Sequence, residues 1–244
     1  MPKFEQFALI LFTLRDYLKT REDALKTFDK IAEIGYKTVQ VSGMPKDILS
    51  EEEIVKELKD RGIRICATHE GPDEILNDTE AVIERLKKLG VRYTAYPFPK
   101  DVDLTSPAAV DDLAHRLDVA GEKFAQHDLT LTYHNHACEF YRLNGSTVLD
   151  RLYHSTKPRH LQAEIDTFWV QRGGASPLAW VQKCAGRMPL LHLKDFRVLT
   201  DNTIEFAEIG SGNIDFKPIV KEAEAGGCEY FIVEQDTCNG DPFD

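Results

Sequence analysis

The sequence lacks several features that would assign it quickly to a class of protein. Its 244 residues include only five cysteines, an odd number without CxxC spacing, which argues against a disulfide framework and favours reduced thiols. No apolar run could span a bilayer, and the first run, residues 7–12, is too short for a signal peptide. Basic residues are outnumbered, 30 against 41 acidic ones, and the net charge is −11. We therefore expect a cytoplasmic protein that binds neither nucleic acid nor an anionic membrane.

The bulk composition indicates an ordinary globular protein with a sizeable core. Hydrophobic residues make up 42% of the chain and charged residues 29%. The length suits either two small domains or one αβ barrel. No linker composition, low-complexity run or GxGxxG pattern marks a boundary, so we expect a single domain over residues 1–244.

Strand and helix patterns alternate along the whole chain. Eight apolar or alternating runs predict strands, at residues 7–16, 36–43, 63–71, 91–99, 129–136, 161–167, 189–195 and 229–235. Helical patterns fill the seven intervals between them, at residues 20–34, 51–61, 81–90, 107–126, 146–156, 177–185 and 217–225. Such alternation implies a parallel sheet, and eight strands can close it into a (β/α)8 TIM barrel. A doubly wound open sheet is the alternative, but its strands would be apolar on both faces, and several here are not.

The predicted barrel lacks one element. Only ten residues follow Glu234, and they contain no helical pattern. Either the last helix is dispensable, or a partner subunit supplies it, or it lies outside this sequence. An uncovered apolar flank would be a surface for association into a homo-oligomer.

Ionisable residues gather at the C-terminal ends of the last four predicted strands, where TIM barrels carry their active sites. Residues 129–136 place Leu129 and Leu131 on one face, and His134 and His136 on the other. Each of the four strand ends also offers a metal-ligand type, namely Glu139, Asp166, His192 and Glu234.

These four residues predict a site for one divalent cation. Three carboxylates and one imidazole suit Mn²⁺, Mg²⁺ or Co²⁺ better than Zn²⁺, and they leave coordination positions for substrate oxygens. Taken singly, each residue has a structural explanation, as a cap, a surface charge or a core histidine. Their phase on consecutive strands favours the metal site.

Further residues near these strand ends are candidates for substrate contact. Lys194 is predicted either to bind oxyanion, phosphate or carboxylate groups, or to form a salt bridge with Glu164 or Asp166. His69 ends the third strand, and Trp169 follows Asp166, where its ring could wall a pocket against a sugar. The equal alternatives are a position in a solvated loop for His69 and a packing role for Trp169. The glycines of residues 210–212 form a loop whose backbone could approach a substrate phosphate.

Several motifs together resemble the xylose-isomerase-like TIM barrels, the superfamily of sugar phosphate isomerases and epimerases that includes inosose dehydratase-like enzymes. They cover nearly the whole chain and read TLRD, EIGYKTVQVSG, YHNHACEF, EIDTFWVQRGG, LHLKDF, GSGNIDF and VEQD. In that superfamily a Glu, an Asp, a His and a Glu on the last four strands hold a divalent cation. The resemblance therefore implies Glu139, Asp166, His192 and Glu234 as metal ligands.

Glu139, the first of the four implied metal ligands, departs from the family pattern. Many members carry the glutamate on the strand itself, about where His134 stands here. Either Glu139 reaches back to the cation, or His134 or His136 replaces it. Epimerases of the family move protons with glutamates on strands five and eight, so histidines on strand five make a dehydratase-like reaction a strong alternative.

The expected function is a metal-dependent isomerase or epimerase acting on a sugar or sugar phosphate. The cation would stabilise an enediolate after a base removes the proton next to a carbonyl. That base would be Glu234 or Glu139, or else His134 or His136. The alternatives are a lyase or dehydratase acting on a keto-sugar or keto-cyclitol, an endonuclease-type hydrolase and a non-catalytic sugar-binding subunit. Gln40 in place of an acid on strand two and the negative charge disfavour the hydrolase.

Overall fold

The computed structural model describes residues 2–243. Eight parallel strands close into a barrel, which confirms the predicted fold class. The barrel strands are β1 (Phe7–Ile10), β2 (Thr38–Val41), β3 (Arg64–His69), β4 (Tyr93–Tyr96), β5 (Thr130–His134), β6 (Gln162–Asp166), β7 (Leu190–Leu193) and β8 (Tyr230–Val233). Closure comes from β1, which pairs with β8 on one side and with β2 on the other.

Helices fill all seven intervals between the barrel strands. They are α1 (Arg21–Ile34), α2 (Glu51–Asp60), α3 (Pro72–Asn77), α4 (Thr79–Leu89), α5 (Pro107–Gln126), α6 (Val148–Ser155), α7 (Thr167–Arg172), α8 (Pro177–Lys183) and α9 (Phe216–Ala225). Local caps explain several boundaries. The Thr20 and Ser50 side chains accept the N–H groups of Asp23 and Glu53 at the starts of α1 and α2. Gly35 ends α1 with a φ of 111°, which favours glycine.

Some short elements differ from the prediction. The first strand ends at Ile10, and a 3-10 helix, Leu11–Tyr17, occupies the rest of the predicted run. Helices α3 and α7 have six residues each and were not predicted. Two antiparallel hairpins also lie outside the barrel, one formed by Arg142–Leu143 and Ser146–Thr147, the other by Asp195–Val198 and Ile204–Ala207. Six residues complete fewer than two helical turns, so the 3.6-residue period cannot be recognised in the sequence of α3 or α7.

The hydrophobic core has two parts. The larger part, which we call the outer core, lies between the strands and the helices, and includes Phe28 and Ile31 of α1 and Leu131 of β5. The smaller part fills the barrel interior toward the N-terminal ends of the strands. We call it the inner plug, and its buried members are Ala8, Ile10, Cys66, Ala67, Tyr93, Leu190 and Ile232.

The residues after β8 form turns and bends up to residue 243 rather than a helix. The Phe243 ring packs edge-on against Tyr17 with centroids 5.1 Å apart, and the Lys30 ammonium lies 4.1 Å from its centre. This segment therefore contacts α1 and the 3-10 helix before it. Within residues 2–243, none of the helices combines the length and apolar character needed to cross a membrane.

Candidate active site

Polar side chains fill the barrel interior at the C-terminal ends of the strands. On β6, Ile165 joins the outer core, so Glu164 and Asp166 on either side of it point inward. The direction is clear from Glu164, whose Oε1 accepts a 2.7 Å hydrogen bond from Nε2 of Gln40. Gln40 lies on β2, which stands opposite β6 in the ring of eight strands. The bond therefore crosses the barrel.

Two overlapping groups of side chains have the spacing of a metal site. One contains His69, His134, Glu164 and His192, and the other contains His134, Asp166, His192 and Glu234. In each group, one ligand atom per residue lies within 4.8 Å of all the others. We call the second group the inner ligand set. The structure thus brings together three of the four predicted ligands, with His134 as the fourth member.

His192 is the centre of the polar network. Its Nδ1 lies 2.7 Å from Glu234 Oε2, and its Nε2 lies 2.9 Å from Gln40 Oε1 and 3.3 Å from Glu164 Oε1. Burial opposes the charged imidazolium, but the Glu164 carboxylate and the hydrogen bonds to Glu164 and Glu234 outweigh it and raise the pKa of His192 to about 10. Without a metal, His192 is therefore protonated at neutral pH.

Lys194 occupies the place next to the inner ligand set. Its buried Nζ lies 3.2 Å from Asp166 Oδ2, 3.0 Å from Glu234 Oε2 and 3.0 Å from Asp236 Oδ1. Burial lowers the pKa of this ammonium, and the three carboxylates raise it by more, so the pKa lies above its usual value. The predicted salt bridge to Asp166 is present, and two further carboxylates share the same ammonium.

Negative charge exceeds positive charge in this interior. Burial opposes ionisation of Glu164 and Glu234, yet nearby cationic and imidazole groups hold the pKa of both carboxyls well below its usual value. Burial raises the pKa of Asp166 to about 6. Three carboxylates, those of Glu164, Asp166 and Glu234, thus face the cationic groups of His192 and Lys194 above pH 7, and the Asp236 side chain contacts the same ammonium. A divalent cation would balance that charge.

Several buried polar atoms at this end have no hydrogen bond to any described residue. Two belong to the inner ligand set, Nδ1 of His134 and Oδ2 of Asp166, and each has only an ionic neighbour, Glu164 Oε2 at 3.5 Å and Lys194 Nζ at 3.2 Å respectively. Burial lowers the pKa of His134 well below its usual value, so its ring is neutral and keeps a lone pair. Buried polar atoms are rarely left unpaired. Two ligand atoms without a hydrogen bond in the same small space fit a bound cation.

Glu139 does not join either group, contrary to the expectation for the first metal ligand. Its Oε1 accepts a 3.0 Å hydrogen bond from the Tyr133 hydroxyl, and its Oε2 accepts a 2.8 Å bond from the His136 N–H. Tyr133 lies in the outer core, on the face of β5 opposite His134. Glu139 therefore supports the turn after β5 from outside the barrel. His134, the alternative left open by the sequence, takes the inward position.

Aromatic rings surround the entrance. The His136 ring lies 5.0 Å from the Trp169 ring and 5.2 Å from the Phe98 ring, between centroids. The buried atoms His136 Nδ1 and Trp169 Nε1 have no hydrogen-bond partner among the described residues. Burial lowers the pKa of His136 to about 4, so this imidazole is neutral at neutral pH. The predicted positions of His136 and Trp169 thus place free polar atoms at the rim.

His69 lies on the other side of His134, with ring centroids 5.0 Å apart. Its Nε2 is 2.7 Å from Glu164 Oε2, so a buried carboxylate orients the ring. Glu164 was not predicted as a site residue, although it shares an inward face with Asp166 in the LQAEID run. Gln40 and Asp236 were also missed, and strand alternation was the available signal for all three.

Comparisons with known proteins agree with the barrel fold. A family model described as xylose isomerase-like TIM barrel matches residues 28–242. Inosose dehydratase of Geobacillus thermodenitrificans is 28% identical over 151 residues, which are 55% of this chain and 50% of the relative. The match thus spans about half the length of this curated relative.

Solved structures with low sequence identity share the fold. A sugar phosphate isomerase/epimerase from Parabacteroides distasonis superposes with a TM-score of 0.82 at 20% identity, over 98% of this chain and 94% of that one. A probable 3-DHS dehydratase from Bacillus anthracis gives 0.72 at 16% identity, over 96% and 94%. With a closed barrel, inward-facing histidine and acidic side chains at its C-terminal end and a family match over most of its length, the chain belongs to the xylose isomerase-like TIM barrel family.

Proposed function

We propose that this protein is a divalent-metal-dependent lyase that removes water from a polyhydroxylated ketone. One observation carries the proposal: the ligand atoms of His134, Asp166, His192 and Glu234 lie within 4.8 Å of one another inside the barrel entrance. Loss of a proton next to a carbonyl and departure of the neighbouring hydroxyl are the steps that such a site serves.

The inner ligand set would hold the cation. Its two imidazoles and two carboxylates are a mixed donor set that suits Mn²⁺ or Co²⁺ better than Mg²⁺, which prefers oxygen ligands alone. When bound, the cation supplies Lewis-acid stabilisation for negative charge on a substrate oxygen. Lys194, held by three carboxylates beside the set, adds positive charge at the same place.

Two histidines at the entrance are suited to move the protons. His136 is neutral and its Nδ1 makes no hydrogen bond to a described residue, so it can take the proton from the carbon next to the carbonyl, as a weaker base than an ordinary histidine because burial lowers its pKa to about 4. His69, oriented by Glu164, can donate a proton to the departing hydroxyl. The electron pair of the broken C–H bond forms a C=C bond as the C–O bond breaks, and the hydroxyl leaves as water. No oxidant or reductant is needed.

Dehydration is favoured over epimerisation by the position of Glu139. The family's epimerases use carboxylates of strands five and eight, and here the strand-five carboxylate is bonded to Tyr133 and His136 instead. The curated relative described above is an inosose dehydratase, which supports a keto-cyclitol or similar ketone as substrate.

An isomerase or epimerase is the second candidate, and one feature favours it. Glu164 and Glu234 lie on two sides of the His192 ring, near Nε2 and Nδ1 respectively. Two carboxylates so placed could exchange protons on opposite faces of a substrate carbon.

One experiment distinguishes dehydration from isomerisation or epimerisation. Protein loaded with one equivalent of Mn²⁺ is incubated in D₂O with a keto-cyclitol and with free ketoses, and NMR follows deuterium uptake and product formation. Loss of water supports the lyase, and an epimeric product carrying deuterium supports the second candidate. The Glu234→Gln variant should lose the reaction, whereas Glu52→Gln, an exposed change in α2, should retain it.

Two results would contradict both candidates. Substrate binding without exchange or turnover would indicate a sugar-binding subunit. A stoichiometry of two or three metals per chain, measured by elemental analysis, would instead favour a hydrolase with a metal cluster.

A further inference from the structure

A loop after β7 is built around the carboxylate of Asp195. This side chain is fully buried and follows Lys194 directly. Its two oxygens accept four backbone N–H groups at 2.8 to 3.1 Å, those of Phe196, Gly210, Gly212 and Ile214. Each of these hydrogen bonds is strengthened by the charge of the carboxylate. Four of them together hold the Asp195 side chain firmly, whereas a single turn would need only one.

Converging backbone N–H groups form an anion site. In TIM barrels the loops after the seventh and eighth strands, with the N-terminus of a nearby helix, frequently bind a substrate phosphate. The loop of Gly210 and Gly212 is the corresponding loop here. A Cβ at residue 212 would collide with the Asp195 carboxylate and the Phe196 carbonyl, which shows how closely the backbone encloses this anion. The Asp195 carboxylate therefore occupies the anion site of this loop.

The adjoining segments are also acidic. The N-terminus of α9 is capped by Asp215, whose carboxylate accepts the Lys217 N–H at 3.3 Å. The segment of residues 234–243, after β8, contains three acidic residues and no lysine or arginine. A phosphate between these loops would meet negative charge from both sides.

Three cations of the loops at this end of the barrel are already engaged. Lys194 is bonded to three carboxylates, as described above. Arg15, after β1, donates to the carbonyl oxygens of Phe12 at 2.9 Å and Asp236 at 2.7 Å. Lys46, after β2, pairs with Glu70 at 3.2 Å and with Glu74. Binding a phosphate through any of these three cations would require breaking its present contacts.

We infer that Asp195 is a resident anion in the loop after the seventh strand, and that the active site accordingly takes an uncharged polyol ketone rather than a sugar phosphate. The part concerning substrate rests on the proposed function. The part concerning Asp195 stands on the loop geometry alone, so the two can be tested separately.

The first test compares a neutral ketose with its phosphate ester, D-fructose with D-fructose 6-phosphate. In the Mn²⁺-loaded wild-type protein, we expect kcat/KM for proton exchange to be at least roughly tenfold higher for the neutral sugar, because like charge at the site costs about that factor. We also expect the ester not to raise the Tm. An ester that is processed faster, or that raises the Tm more than fructose does, would overturn the substrate class, even in the absence of turnover.

The second test removes the resident anion and needs no activity. Asp195→Ala leaves a space that formate can fill, so formate should raise the Tm of this variant by several degrees relative to chloride at equal ionic strength. The wild type and Asp201→Ala, a change in an exposed turn, should show only the general effect of the salt. Absence of a specific rise in Asp195→Ala would overturn the role assigned to Asp195.

A second variant covers the case in which Asp195→Ala does not fold. Asp195→Asn keeps the volume but directs an NH₂ group at N–H donors, so its Tm should fall by roughly 5 °C. An unchanged Tm would contradict the resident anion. If no probe exchanges deuterium, the proposed function fails, while the formate and Tm results still decide the role of Asp195.

Discussion

The two ends of the barrel interior are made from the same strands and have opposite chemistry. In β8, Ile232 belongs to the apolar inner plug, and Glu234 two residues later belongs to the inner ligand set. In β7, Leu190 and His192 have the same relationship. The N-terminal end buries hydrocarbon, whereas the C-terminal end buries carboxylates, imidazoles and an ammonium.

This difference separates stability from chemistry. The inner plug contributes hydrophobic free energy in proportion to its buried area. The polar end is costly because each buried charge loses its hydration, and the ion pairs offset only part of that loss. A bound divalent cation would offset part of the remaining cost. Variants of the two ends should accordingly change different properties.

The largest expected effect is the loss of the cation by Asp166→Asn. Asn can still accept the Trp169 N–H that begins α7, so the cap is kept while the charge is removed. Turnover should fall roughly a thousandfold and Mn²⁺ affinity by a hundredfold or more. Titration calorimetry measures the affinity, with Asp201→Asn as the surface control. Normal affinity in Asp166→Asn would remove the inner ligand set as the metal site.

Ile232→Ala tests the opposite end. The cavity in the inner plug should reduce the free energy of unfolding by about 3 kcal/mol, measured by urea denaturation. Mn²⁺ affinity of the folded variant should stay within about threefold of the wild type, since the side chain makes no polar contact. A large loss of affinity would show that the two ends are coupled and not separable.

The pH dependence of metal binding should reveal the proton on His192. Its pKa of about 10 in the cation-free chain means that the metal must displace a proton at lower pH. Apparent affinity should therefore rise about tenfold per pH unit from pH 7 to 8.5, where Asp166 is already ionised. Calorimetry in buffers of different ionisation enthalpy should find about one proton released per cation. A flat profile would mean that His192 is neutral or unbound.

The smallest effect on the site is expected for Glu139→Gln. Its hydrogen bonds from Tyr133 and His136 lie outside the inner ligand set, so Mn²⁺ affinity should change by no more than about twofold, and stability should fall by about 1 kcal/mol. Titration and denaturation measure the two quantities. A tenfold loss of affinity would instead make Glu139 a ligand and would restore the family's pattern on strand five.

Most of the fold could be predicted because its signals are local. The alternation of residues 129–136 and 161–167 indicates strands, and a helix such as α5 carries its own apolar period and its Pro107 start. The hairpins and the short helices α3 and α7 could not be predicted. Their stability comes from contacts with distant residues, such as the packing of Phe168 on Phe206 at 4.8 Å.

Part of the candidate site could be predicted because its signals are also local. Asp166, His192 and Glu234 follow from alternation and from their place at strand ends. Glu164 has the same phase as Asp166, but only its bonds to Gln40 and His69 across the barrel show that it belongs to the site. Those bonds join residues 124 and 95 positions apart in the chain.

The sequence by itself determined the eight alternating units and which face of each strand is polar, because both depend on residues within a few positions of one another. Only the tertiary structure decided that His134 enters the inner ligand set while Glu139 turns outward to Tyr133, and that Asp195 fills its own loop. Those outcomes depend on barrel closure, which sets the distances between side chains that are far apart in the chain.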